Sequence, residues 1–241
     1  MFRRESHRSV LAVLGFLQAG KLSSCKALFG GGTRIVLDLG EYRESEDVDF
    51  LCSDAEGYAE IRFAAATGGY PALFTAEGVR ELQFPREMRT DQYGVRFAVL
   101  HGARTIKVEI VREARIGLDP GVRPEWSPVD CLSVADCYAE KLLANSDRWA
   151  DRQVLSRDLI DLAALRSRIG LIPAESWKKA ELAYRSAAPG DLQKALALLL
   201  GDSGYRERCF QGLHIVDPEP LLEGAAQILR DLSPLSGYML T

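Results

Sequence analysis

One stretch constrains the fold more than any other: residues 29–52, FGGGTRIVLDLGEYRESEDVDFLC. The apolar run Lys26-Ala27-Leu28-Phe29 reads as a short strand leading into three glycines, and residues 33–39 read as a helix stopped by Gly40. Residues 47–52 then alternate apolar side chains with carboxylates, the pattern of a strand with one polar face. A glycine turn between strand and helix lets backbone N–H groups face an anion, which makes Gly31, Gly32 and the Thr33 hydroxyl candidate phosphate contacts. Asp47 and Asp49 lie two apart, so a strand projects both from one face while Val48 points to the core. Two carboxylates held so close repel one another unless a divalent cation sits between their oxygens. Each motif alone has an ordinary reading, as a flexible turn or a pair of aspartates on a sheet rim. The glycines do not have P-loop spacing, because Lys26 precedes them, and they lack the G-x-G-x-x-G dinucleotide pattern.

The remaining sequence orders itself around this segment. Residues 6–22 and 58–66 carry helical apolar periodicity, and residues 93–100 and 104–112 read as strands joined at His101-Gly102-Ala103. In the second of these strands Lys107 and Glu109 fall on the face opposite Ile106, Val108 and Ile110, so Glu109 joins the aspartate pair if the two strands are neighbours. Three acids beside a phosphate cradle describe two-metal phosphoryl or nucleotidyl transfer. The proline- and glycine-bearing stretch at 118–128, LDPGVRPEWSP, reads as a linker. Beyond it, helices are expected at 133–145, 156–168, 175–186, 190–200 and 220–232. The expectation is an α/β (α+β) domain at 1–120 with a mixed sheet and helices, followed by an all-helical domain at 121–241.

Composition limits the function classes. A net charge of −4 does not favour nucleic-acid binding over the whole surface, although it leaves room for a local basic face. The five cysteines are scattered without a C-x-x-C pair, which argues against a zinc site or a disulfide framework and for thiols in a reducing compartment. Met1-Phe2-Arg3-Arg4 is followed by Glu5, Ser6 and His7 rather than by an apolar run, and no stretch is long and apolar enough for a membrane span. A cytoplasmic protein with no membrane contact is expected.

A second block lies in the helical half. Lys141 sits on an amphipathic helix with Ala144 and Arg148, and Arg157-Asp158 opens the next helix with Asp161 one turn on. Singly, these suit a solvated lysine, an N-cap at Ser156 and a first-turn acid. Taken with Gly-Gly-Thr and Arg43-Glu44-Ser45-Glu46-Asp47-Val48-Asp49-Phe50, the chain resembles the AbiEii/AbiGii-type toxin family of nucleotidyltransferases, within the wider polymerase-β-like nucleotidyltransferase fold. The first block matches the family's R-x-S-x-D-h-D-h signature, and the second matches K-x-x-A-x-x-x-R followed by R-D-h-x-D-h.

The resemblance implies metal binding by Asp47, Asp49 and Glu109, with magnesium or manganese as the ion and a nucleoside triphosphate as donor. It implies nucleotide contacts from Gly31, Gly32, Thr33, Arg43, Ser45, Arg148 and Asp161, and catalytic roles for Lys141 and Asp158, the lysine neutralising triphosphate charge. It further implies the toxin of a toxin–antitoxin pair, with a tRNA 3′ end as acceptor and a cognate antitoxin protein as partner. Two other readings stay open at this level: a non-catalytic partner-binding protein that keeps the fold, and a kinase-like phosphotransferase using the same metal pair.

Overall fold

Strict alternation in β5 (Arg104–Arg112) buries Ile106, Val108 and Ile110 and turns Thr105, Lys107 and Glu109 outward. The same alternation runs through β4 (Gly94–His101), where Val95, Phe97 and Val99 are buried, and β2 (Val48–Cys52), where Val48 and Phe50 are. With β1 (Leu28–Phe29) and β3 (Arg89–Thr90) these strands form a five-stranded sheet in the order β1-β2-β5-β4-β3. The β2–β5 pair is parallel and the other three are antiparallel, so the sheet is mixed as expected. Gly102, at φ +60°, turns the chain from β4 to β5.

The chain is described here from a computed structural model covering residues 2–232. It divides into two compact units: Met1–Leu37 with Ser45–Ser133, and Asp38–Glu44 with Val134–Thr241. In the first unit, α1 (Glu5–Phe16) and α4 (Ala55–Gly68) bury Val10, Val13, Leu14, Tyr58 and Ile61 in one core with the inner face of the sheet. Helices α2 (Ala19–Ser24), α3 (Gly31–Asp38) and α5 (Ala76–Glu81) complete it. The helix expected over residues 6–22 is two helices, α1 and α2, interrupted at Leu17-Gln18, and the short α5 was not apparent from periodicity, because six residues hold too few apolar positions to show a helical face.

The second unit is helical: α6 (Val134–Arg148), α7 (Arg157–Arg168), α8 (Ala174–Tyr184), α9 (Ala187–Gly201), α10 (Ser203–Gly212) and α11 (Glu219–Leu232). Helix α7 buries Leu159, Ile160 and Leu162 to Leu165, and α11 crosses it closely at Gly224, where a Cβ would collide with the Ala163 carbonyl. Helix α10 is additional to the sequence expectation. Glycines at 204 and 212 dilute its apolar pattern, yet Asp202 caps its start by accepting from the Tyr205 N–H at 2.8 Å.

The division differs from a cut at 120/121 in two respects. Residues after 120 stay with the sheet, since Val122 bridges Cys131, and the Phe29 N–H donates to the Asp130 carbonyl at 2.8 Å. Residues 38–44, although flanked by the first unit on both sides, belong to the helical one. All five cysteines are buried and free. Among the described residues no helix is long and apolar enough to cross a membrane.

Candidate active site

In the first unit the glycine turn lies directly on the Asp-x-Asp strand. The Gly30 N–H donates to the Asp49 carbonyl at 2.8 Å, and Gly31 opens α3 at φ +67°. A Cβ on Gly31 would stand 2.5 Å from Asp49 Oδ2, so only glycine gives both the backbone conformation and the clearance. The helix follows because Ile35, Val36 and Leu37 are buried, and burial outweighs the weak helical preference of β-branched residues. Thr33 is buried, and its Oγ1 is 2.8 Å from Ser45 Oγ, so the two motif hydroxyls that precede the aspartates in sequence form one pair.

The backbone N–H of Ser45 donates to Nε2 of His7 at 3.3 Å, and His7 is wholly buried on α1. This assigns Nε2 as an acceptor, so the imidazole is neutral in that contact. Sequence reading missed His7 as a neighbour of the motif, because a polar residue in an amphipathic helix gives no sign of what it touches 38 residues away.

Glu109 pairs with Asp49 across β2 and β5, in the register the third-acid expectation required. Its side chain is nonetheless engaged elsewhere: Oε1 lies 3.0 Å from Lys107 Nζ and 3.4 Å from Arg96 Nε. Among the described residues no three His, Cys, Asp or Glu side chains are grouped to hold a metal ion. Glu109 thus stands beside Asp49 in register while its carboxylate is held by two cations. Asp47 and Asp49 offer hard oxygen donors, and Gly31 packs closely on the Asp49 carboxylate; such donors suit a divalent ion that takes its other ligands from water and phosphate.

The second block of motif residues forms a buried ionic network within the helical unit. Asp161 has no exposed side chain and accepts from four donors: Tyr42 Oη at 2.6 Å, Arg43 Nε at 2.7 Å, Arg43 Nη2 at 2.9 Å and Lys141 Nζ at 2.7 Å. Asp158 accepts from Lys141 Nζ at 2.9 Å and from Arg148 Nε and Nη2 at 2.7 and 3.0 Å. Arg43 also donates to the Glu44 carbonyl at 2.7 Å. The structure thus places Arg43 in the interior, bidentate to Asp161, while Arg148 keeps a third of its side chain exposed.

Burial works to raise both aspartate pKa values, but Lys141 and Arg148 around Asp158, and Arg43 and Lys141 around Asp161, hold both carboxyls below the ordinary range. Burial works to lower the pKa of Lys141, and the two aspartates outweigh it, so the lysine is charged at neutral pH. Burial, reinforced by the Asp161 charge, raises the Tyr42 phenol well above its usual value, so Tyr42 stays a donor. Arg43, Lys141 and Arg148 thus face Asp158 and Asp161, with Asp147 adding a further negative charge near Arg148.

Ser156 does not act as the N-cap that its position suggests. It sits at φ +49°, following Leu155 at φ +56°, makes no side-chain cap, and shares a 2.9 Å hydrogen bond with Tyr205 Oη. Two successive left-handed residues re-aim the chain immediately before Arg157-Asp158, and Tyr205 on α10 fixes the turn.

Comparison with known proteins bears on the fold and the family. The structure is similar to that of a candidate nucleotidyltransferase from Helicobacter pylori, with a TM-score of 0.50, 18% identity, and coverage of 95% of this chain and 96% of that one. It is also similar to JHP933 from Helicobacter pylori, with a TM-score of 0.51, 17% identity, and coverage of 99% and 98%. These likenesses establish the fold. No protein of curated function matches the chain in sequence. The family model described as nucleotidyl transferase AbiEii toxin, type IV TA system, matches residues 16–220, which takes in both motif blocks and leaves His7 outside. The chain belongs to the AbiEii family of nucleotidyl transferase toxins and is a nucleotidyltransferase.

Proposed function

We propose that the protein transfers a nucleoside monophosphate from a nucleoside triphosphate to the 3′ end of tRNA, as the toxin of a toxin–antitoxin pair. The observation that carries this reading is the packing of Gly31 against Asp49, which brings a helix N-terminus and the Asp49 carboxylate to one point. Asp47 and Asp49 would hold magnesium or manganese, which when bound polarises the reacting phosphate and lowers the pKa of the attacking hydroxyl. Gly31, Gly32 and Thr33 offer backbone N–H groups and a hydroxyl to the phosphates, with Ser45 holding the Thr33 hydroxyl in place.

Lys141, kept charged by its two aspartates, offsets negative charge on the triphosphate, and Arg148 adds a second, partly exposed cation. Asp158 orients these two donors. Arg43 and Asp161 act as positioning residues, since the guanidinium is spent on Asp161 and the Glu44 carbonyl. Glu109 acts through Lys107 and Arg96. Membership of a type IV toxin–antitoxin family supports a cognate antitoxin as partner and a cytoplasmic site of action.

The test is incubation with magnesium, total tRNA and each α-³²P nucleoside triphosphate in turn, for the wild type and Asp49→Ala. Label on tRNA is expected with the wild type, and at least about 100-fold less with the variant, as loss of several kcal/mol of metal-derived stabilisation implies. Label delivered from the γ-phosphate instead would show a phosphotransferase, and no label from any nucleotide would overturn the tRNA reading. Expression of the wild type is expected to arrest growth, with Asp49→Ala relieving the arrest; arrest by both would point to toxicity through partner binding.

A further inference from the structure

The strand register aligns four charged side chains in one row on the open face of the sheet. Asp49 on β2 pairs with Glu109 on β5, Glu109 with Arg96 on β4, and Arg96 with Arg89 on β3. Directly paired residues project to the same face, here the face opposite Val48, Val108 and Phe97 in the core. Lys107, two residues before Glu109, shares that face and stands opposite Ala98, whose short side chain leaves it room; the lysine side chain is 57% exposed. The row therefore begins at the catalytic carboxylate and becomes basic toward the β3 edge.

Arg96 is set in place rather than loose. Its Nη1 meets Asp91 Oδ2 at 3.1 Å and its Nε faces Glu109 Oε1 at 3.4 Å. Its guanidinium lies over Gly94, where a Cβ would stand 2.8 Å from Cζ. Asp91 is itself fixed by the N–H groups of Tyr93 and Gly94 at 2.7 and 2.9 Å. Nη2 of Arg96 has no hydrogen bond among the described residues, and Arg89 forms no ion pair among them. Glu109 neutralises part of Lys107 and Arg96, so it serves to hold two cations rather than to add a third free acid.

We propose that Lys107, Arg96 and Arg89 form a phosphodiester-binding rail for the RNA acceptor, leading its backbone across β5, β4 and β3 toward Asp49. This deepens the nucleotidyl-transfer reading and rests on it for the identity of the acceptor. Strands stand about 4.8 Å apart, so the cations spread along roughly 10 Å instead of converging on one point. That spacing suits an extended polyanion better than a single triphosphate. The exposed Arg89 and Lys107 in line with the half-buried Arg96, over a floor of Ala98 and Gly94, provide sequence-independent backbone contacts of the kind that position a nucleic acid without reading its bases.

The experiment is tRNA binding by fluorescence anisotropy over a series of salt concentrations, for the wild type, Arg89→Gln/Lys107→Gln and Arg96→Gln, with the α-label transfer assay run in parallel. The exposed double substitution leaves the core intact. Each lost phosphate contact is expected to lower the slope of log affinity against log salt by about 0.7–0.9, so the double variant loses about 1.5 and binds roughly ten-fold or more weakly at physiological salt. The Michaelis constant for the nucleotide is expected to stay within about two-fold of wild type, since these contacts act on the acceptor alone.

Wild type that does not bind tRNA, or a double variant with unchanged slope and affinity, would overturn the rail. A raised nucleotide Michaelis constant with unchanged tRNA binding would reassign these cations to the triphosphate and overturn it equally. Wild-type transfer with unaltered variant binding leaves the nucleotidyl-transfer reading standing and removes the rail. Binding lost in the variant, without transfer by the wild type, supports the rail and overturns that reading.

Discussion

Asp161 is fully buried and ionised because four donors share its two oxygens, and the same two oxygens tie residues 42 and 43 to α6 and α7. Removing a single partner from such a set leaves a buried charge uncompensated, which costs about 3–5 kcal/mol. Asp161→Ala is therefore expected to lose stability on that scale, read as a lower urea midpoint with an unchanged m-value, whereas Tyr42→Phe, which removes one donor of four, is expected to lose about 1.5–3 kcal/mol. The network also sets a pH window. The folded aspartates titrate below their ordinary value of 3.8, so their stabilisation is complete above that pH and is lost as pH falls through the lower folded values. Lys141 titrates above its ordinary 10.5, so its share is complete below that pH and is lost as pH rises through the higher folded value. Thermal midpoints measured from pH 3 to 11 are expected to show a plateau between those limits, and Asp161→Ala is expected to have a weaker acid limb.

At the scale of elements, the decisive object is the junction of β1, α3 and β2. Gly31→Ala combines a left-handed backbone with a Cβ 2.5 Å from Asp49 Oδ2, so it is expected to destabilise the fold by about 1–3 kcal/mol and to displace the carboxylate. The loss of transfer activity should exceed what the folded fraction explains, whereas Gly190→Ala, on the first turn of α9 with nothing near its Cβ, should be close to neutral in both assays. This junction was legible in the sequence because glycines, alternation and a helix stop fall within two dozen residues. The five long helices of the second half were legible for the same local reason. The pairing of β2 with β5 was only half legible: alternation placed Glu109 on the polar face, but parallel pairing across more than fifty residues leaves no local signal. The fate of the Glu109 carboxylate was not legible, because it depends on Arg96 from a third strand. Nor was that of Arg43, which reads as a phosphate ligand from its place in the motif and turns inward because Asp161, 118 residues later, meets it there.

At the scale of the whole chain, the two units are woven in sequence: the polypeptide leaves the sheet-bearing unit after Leu37, contributes seven residues to the helical one, and returns at Ser45. A protein made only of residues 1–133 would keep Tyr42 and Arg43 without Asp161, and one made only of residues 134–241 would keep Asp161 and Lys141 without them. Each is expected to be less stable alone than as part of the full chain, seen as a broad, non-cooperative urea transition for the helical fragment. Mixing that fragment with a synthetic peptide of residues 38–44 should restore part of its cooperativity, and a peptide carrying Arg43→Gln should not.

The short excursion at 38–44 also bears on how such a chain can change over generations. Helical halves cannot be traded between relatives as cassettes by one crossover, because the recipient's own seven-residue insert would arrive with them only by a second exchange near the glycine turn. The signature arginine at 43 and the aspartate at 161 are thereby bound to a common inheritance, and a recombinant that mismatches them would bury an unmatched charge before it could test any new activity.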